Sequence, residues 1–125
     1  MSLFDFFSQE EVIKIINKTQ DEIKIQKIFE KAIKKNYLEL VKYLLQDKRV
    51  NPNDGIMIAF TKDYQEIVEL LLKDERMDTN INKEILQEIF EQAIKKNNVE
   101  LVKLLLQKVD PHNELLILAL KNDYQ

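Results

Sequence analysis

Cysteine is absent from this 125-residue chain, and glycine, proline and histidine together supply only four residues: one Gly, two Pro and one His. Without thiols there is no disulfide, thiolate metal site or cysteine nucleophile, and the redox compartment stays open. The single histidine, His112 in Asp110-Pro111-His112-Asn113, cannot assemble an ordinary zinc site alone, so no metal is expected. One glycine rules out a glycine-rich phosphate loop. With two prolines it also leaves little material for β-turns or flexible linkers, so the structure is expected to be all helical. No 18 apolar residues run together, and no transmembrane helix is expected. The opening MSLFDFF has no basic flank and too short an apolar run for a signal peptide. Those features point to the inside of a cell, the cytoplasm by default. An excess of positive charge is missing as well. The net charge of −3 argues against general binding to nucleic acid or anionic membrane.

What is present is a repeat. Ile28 to Gln46, IFEKAIKKNYLELVKYLLQ, returns 61 residues later as IFEQAIKKNNVELVKLLLQ from Ile89 to Gln107. A weaker copy, IAFTKDYQEIVELLLK, spans Ile58 to Lys73, and a fourth, LALKNDYQ, starts at Leu118. Self-similarity at such spacing is the mark of a stacked array, in which each unit buries its apolar face against its neighbours. With 45% hydrophobic and 33% charged residues the chain is ordered and not a disordered tail.

Taken in order, Ser8-Gln9-Glu10-Glu11 has capping-box spacing and opens a helix to about Asn17, with Val12, Ile13, Ile15 and Ile16 as its apolar face. Leu3, Phe4, Phe6 and Phe7 precede it, either as a lid folded over the first repeat or as an aromatic docking motif. Thr19-Gln20-Asp21-Glu22 reads as a second capping box, opening a helix to about Lys35 in which Ile25, Ile28, Phe29, Ala32 and Ile33 keep the helical period. A second helix follows through Leu38, Leu40, Val41, Leu44 and Leu45, close enough that the two must lie antiparallel. After the polar loop DKRVNPND, helices are expected from Gly55 to Lys62 and Tyr64 to Lys73. After a second loop they are expected over 83–96 with Asn82 as cap, over 98–107 and over 114–122. Ala32, Ala59, Ala93 and Ala119 recur at separations of 27, 34 and 26 residues, where a small side chain lets helices approach closely.

These residues resemble the ankyrin-repeat family. The pattern Ala, a short spacer, a turn pair, then Glu-Ile-Val and Leu-Leu-Leu is visible as A59-FTK-DY-Q-EIV-E-LLL, A93-IKK-NN-V-ELV-K-LLL and A32-IKK-NY-L-ELV-K-YLL. The loops DKRVNPN, DERMDTN and KVDPHN are similar to those of divergent arrays in amoebae and their large DNA viruses; a viral origin would imply the host cytoplasm. The family's Thr-Pro-Leu-His opening is missing. Its Gly-His pair is replaced by Asn36-Tyr37, Asp63-Tyr64, Asn97-Asn98 and Asp123-Tyr124, where Asn and Asp tolerate left-handed backbone angles. Two separations fall below the family's usual length of about 33 residues, which implies β-hairpin fingers shortened or absent. The resemblance implies an all-α, ankyrin-like helical solenoid of about three and a half helix-turn-helix repeats. Its divisions are a capping helix in 1–18, repeat 1 in 19–53, repeat 2 in 54–81, repeat 3 in 82–112 and an incomplete repeat 4 in 113–125.

Ankyrin arrays bind through the concave face made by the first helices and the fingers. Lys34-Lys35, Thr61-Lys62, Lys95-Lys96 and Lys121-Asn122 occupy the family's variable positions there, and stacking would align them into a basic ridge. Such a ridge suits a protein partner with an acidic segment; it is equally what an ordinary solvated face looks like. Tyr37, Tyr64 and Tyr124 follow each turn, as interface anchors or as structural substitutes for the family's His. Glu39, Glu66 and Glu100 open the second helices, where the helix dipole favours them, and nothing forces two acids into one catalytic pocket. No catalytic residue or cofactor is expected. The expected function is a non-enzymatic protein-interaction module. The alternative is a structural, self-assembling fragment that associates through residues 114–122, where Leu115, Leu116, Ile117, Leu118 and Leu120 lack a partner helix. Truncation of a longer array is the reading preferred for that end, ahead of contact with another chain. An RNA-binding helical repeat is disfavoured by the net acidity and the lack of arginine–aromatic platforms.

Overall fold

A computed structural model describes residues 7–80 and 82–108 of the chain. Among them are seven α-helices: α1 (Gln9–Lys18), α2 (Glu22–Lys34), α3 (Leu38–Leu45), α4 (Ile56–Thr61), α5 (Gln65–Lys73), α6 (Lys83–Lys95) and α7 (Val99–Lys108). One 3₁₀ turn over Pro52–Asp54 precedes α4. No strand occurs among the described residues. Residues 46–55 carry turns and the 3₁₀ turn, and residues 74–80 carry turns, where hairpin fingers were expected to be short or missing.

The turn between paired helices is the same device three times. Asn36, Asp63 and Asn97 sit at φ of 57°, 59° and 58°, the left-handed region that a short polar side chain enters at least cost after glycine. The amides after them, on Tyr37, Tyr64 and Asn98, donate to the carbonyls of Ala32, Ala59 and Ala93 at 3.0, 2.9 and 2.9 Å. Their own amides donate to Ile33, Phe60 and Ile94 at 2.9, 3.0 and 3.1 Å. This is the Schellman arrangement, and it reverses the chain at once into the next helix. The recurring alanine therefore stands three residues from the helix end, and all three described copies are buried. Ala119 lies outside the described residues.

Each helix packs on its own partner, α2 on α3, α4 on α5 and α6 on α7. Pairs stack through α2 with α4, α3 with α5 and α5 with α7. The core runs along the stack as a series of layers: Phe29 with Ile33 and Leu44 in the first, Ile56 with Leu71 in the second, Phe90 with Ile94 and Leu105 in the third, all buried. Gly55 lies between the first two. Its φ of −97° is ordinary, so its missing side chain is explained by space. A Cβ there would stand 2.5 Å from Ile33 Cδ1 and 3.3 Å from Phe29 Cε2.

Helix α1 closes one end. Val12 and Ile16 are buried, and the Ser8–Glu11 capping box forms, with both reciprocal bonds at 3.2 Å. The second expected capping box does not form. Thr19 turns its hydroxyl back onto the Ile15 carbonyl at 2.7 Å and ends α1. Asp21 caps α2 instead, accepting from the amides of Ile23 and Lys24 at 3.0 and 3.2 Å. Asn82 does precede α6, but its side chain makes no cap bond. Its amide reaches Asn53 Oδ1 at 2.9 Å in the neighbouring loop. At Thr19 the last turn of the preceding helix takes the hydroxyl, and at Asn82 a hydrogen bond to a neighbouring loop takes the side chain. The expected helix over 114–122 and the apolar residues Leu3, Phe4 and Phe6 lie outside the described residues.

Two arginines in the loops stitch the layers together. In Asp47-Lys48-Arg49 and Asp74-Glu75-Arg76 the carboxylate grips the guanidinium with both oxygens, at 3.0 and 2.7 Å in the first and 2.9 and 2.7 Å in the second. Fixed in that fork, Arg49 donates to the Thr19 carbonyl at the end of α1, at 2.6 Å. Arg76 donates to Leu45, Asp47 and Val50 at 2.6, 3.1 and 2.7 Å, closing the end of α3. A planar, always-charged fork suits several converging carbonyls as a lysine would not. Gln26 adds a paired contact to the Asn51 backbone at 2.8 and 3.0 Å, and Asn53 binds the Arg76 carbonyl at 2.9 Å. No buried side-chain nitrogen or oxygen among the described residues lacks a partner.

Candidate functional site

The three Schellman turns bring the ends of the first helices to one edge of the stack. Lys34, Thr61 and Lys95 are the last residues of α2, α4 and α6, and Lys35, Lys62 and Lys96 follow as C-caps. All six are exposed. Lysine is also the residue type favoured at a helix C-terminus, where the unpaired carbonyls concentrate negative potential. Two contacts register neighbouring turns against each other. The Tyr64 hydroxyl donates to the Lys34 carbonyl at 3.4 Å, and Lys96 Nζ stands 3.4 Å from Asp63 Oδ1. Tyr37 and Tyr64 are half-buried and pack against the core. Lys121 and Tyr124 lie outside the described residues.

The charge along this edge is uneven. Lys95 is held by Glu91 at 2.8 Å, one turn back on α6, and Lys96 by Asp63 across the repeat boundary. The Asp63 carboxyl is held below its usual range by the hydrogen bond from Gln65 and by the Lys96 ammonium. The third-repeat end of the ridge is thus largely neutralised by its own carboxylates. Basic character is retained at the first repeat, on α2.

Among the described residues no group of three or more His, Cys, Asp or Glu side chains is placed to hold a metal ion. None of the described helices is long and apolar enough to cross a membrane. A surface depression of about 420 Å³, open to solvent, lies at the loop side between Leu45, Lys48, Asp74, Glu75 and Arg76. Of the acids there, Asp74 is committed: it is held below the ordinary carboxylate range chiefly by its hydrogen bond from Arg76. The same holds for Asp47 with Arg49. Those arginine–aspartate forks are the interactions that sequence reasoning missed. The repeated Asp-x-Arg was there to be read, but the carbonyls it serves lie as far as 31 residues away.

Repeated helix pairs with left-handed turns, stacked in register, define a solenoid of the ankyrin kind. Residues 29–114 match the family model for ankyrin repeats in three copies, and the chain belongs to the ankyrin-repeat family. No curated protein and no solved structure matches the chain. Ankyrin repeats are generally protein–protein interaction modules, typically without enzymatic activity.

Proposed function

We propose that this chain is a non-enzymatic module that binds a protein partner across the first-helix edge of the stack, the concave face in ankyrin arrays. The binding residues of this reading are Lys34, Lys35, Tyr37, Thr61, Lys62, Tyr64, Lys95 and Lys96, with Lys121 in the same sequence register. One observation carries it. Three identical turns present exposed lysine and threonine side chains at equivalent positions, and cross-repeat contacts at Tyr64 and Lys96 hold those positions in register. A rigid, registered row keeps the ordering cost of binding low.

The test is site-specific photo-crosslinking. A photoreactive residue at Thr61 is compared with one at Lys42 or Lys103, both exposed on second helices. A protein captured from Thr61 alone, and lost on Lys34→Glu/Lys62→Glu, supports the reading. Equal capture from all three positions refutes it.

A second reading, self-association, is favoured by a specific contrast. Leu72 of α5 is 1% exposed, whereas the equivalent Leu106 of α7 is 38% exposed and Val99 on the same helix is 40% exposed. Solution mass measured from micromolar to millimolar protein distinguishes the two. A dimer weakened by Leu106→Lys supports association, and a monomer throughout removes it.

A further inference from the structure

The geometry points to the outward face of α2 as a docking stripe for a short acidic helical segment of a protein partner. This deepens the interaction-module reading and rests on it. Lys24, Lys27, Lys31 and Lys34 follow one another at spacings of three, four and three residues, which puts them in one line along the helix. At about 1.5 Å per residue that line is about 15 Å long. All four side chains are exposed, and among the described residues none of them takes part in an ion pair. Glu30 lies half-buried beside the line without pairing to Lys27 or Lys34. Ile23 sits four residues before Lys27 on the same face and is 70% exposed.

The third repeat provides an internal comparison. α6 is a near copy of α2, yet the positions equivalent to Ile23, Lys24, Lys27, Lys31 and Lys34 hold Glu84, Ile85, Glu88, Gln92 and Lys95, and that last lysine is bound to Glu91. The stripe is therefore a property of the first repeat and not of the fold. An ankyrin stack does not need it.

Size selects the partner. A whole-molecule charge of −3 repels an extended polyanion such as a duplex or an anionic bilayer. A segment only a few turns long meets the stripe alone, because charges beyond about 8 Å are screened at physiological salt. A helix with carboxylates at three- and four-residue spacing can face all four lysines, and an apolar residue at its end can cover Ile23.

The probe is a fluorescein-labelled synthetic helix with Glu at that spacing and one terminal Leu, followed by anisotropy at low and physiological salt. Lys27→Glu/Lys31→Glu is compared with Lys42→Glu/Lys103→Glu, which changes net charge by the same amount on the second helices. Saturable binding that weakens about tenfold or more in the first variant and about twofold or less in the second supports the stripe. Ile23→Ser is expected to weaken binding without altering its salt dependence. Equal loss in both variants, absence of saturable binding, or preferential uptake by phosphatidylserine vesicles overturns it. Crosslinking from Thr61 is read separately, so a chain that captures a protein there but ignores the peptide loses only the stripe.

Discussion

At the residue scale the fold turns on three positions with positive φ. Asn36, Asp63 and Asn97 occupy them, and their identity was legible in sequence because asparagine and aspartate are the residues, after glycine, that enter left-handed backbone readily. An alanine there keeps the hydrogen-bond geometry and adds the steric cost. Asn97→Ala is expected to destabilise the protein by about 1 kcal/mol and Asn97→Gly to be neutral within about 0.5 kcal/mol. Urea denaturation midpoints check both. Equal destabilisation by the two would mean that the Asn97 side chain, and not its backbone angle, is what matters. Gly55 was not legible in this way. Its neighbours Phe29 and Ile33 come from α2 and Leu71 from α5, so only the assembled structure shows why a side chain has no room.

At the scale of the element, α2 works against itself. Its lysines at 24, 27, 31 and 34 make three successive like-charge neighbours, each costing a few tenths of a kcal/mol in a solvent-exposed helix. Lys27→Glu converts two of those repulsions, toward Lys24 and Lys31, into attractions. It is expected to raise stability by about 0.5–1 kcal/mol, read as a shift in the urea midpoint that shrinks at high salt. No gain would mean that Lys27 already has a favourable setting and that the stripe costs nothing. Helix bounds were legible to within a residue or two, since apolar spacing and turn residues fix them: α2 was expected to about Lys35 and ends at Lys34. Cap chemistry was less so. Thr19 and Asn82 both have the right residue type at the right place, yet Thr19 bonds back to the Ile15 carbonyl of the helix it ends and Asn82 bonds Asn53, 29 residues away, an acceptor that the sequence does not display.

At the scale of the whole molecule, stability depends on layers staying in contact, and the arginine forks make part of that contact titratable. Asp47 and Asp74 are both held below the ordinary carboxylate pKa, chiefly by hydrogen bonds from Arg49 and Arg76. The unfolded chain then binds more protons than the folded one between the ordinary value of about 3.9 and the lowered ones. Their stabilisation is complete above that ordinary value and is lost as pH falls through the lowered folded values. The melting temperature is therefore expected to be flat from about pH 7 to 5 and to fall steeply below about pH 4. Asp74→Asn should lower it at neutral pH and make the acid fall shallower. An unchanged acid limb in Asp74→Asn would assign acid unfolding to other carboxylates.

The two forks are chemically alike but hold different things, and that difference separates a local from a global effect. Arg49 reaches a single carbonyl, Thr19 at the end of α1, so it fastens the terminal helix to the first repeat. Arg76 reaches three carbonyls, of Leu45, Asp47 and Val50, and so joins the first repeat to the second. In a stack whose units contact only their neighbours, releasing the terminal unit frays one end, whereas weakening an internal boundary lowers the stability of the whole array. Arg49→Ala is expected to accelerate amide exchange in α1 while leaving α4 to α7 nearly unchanged. Arg76→Ala is expected to cost about 1–3 kcal/mol of global stability, from charge-assisted bonds that water replaces only in part. Arg76→Lys should recover little of it, because an ammonium cannot satisfy Asp74 and three diverging carbonyls at once. Native-state hydrogen exchange, resolved helix by helix, tells the outcomes apart. If both variants fray only α1, the internal boundary is held by apolar layers and the Arg76 fork contributes little to it.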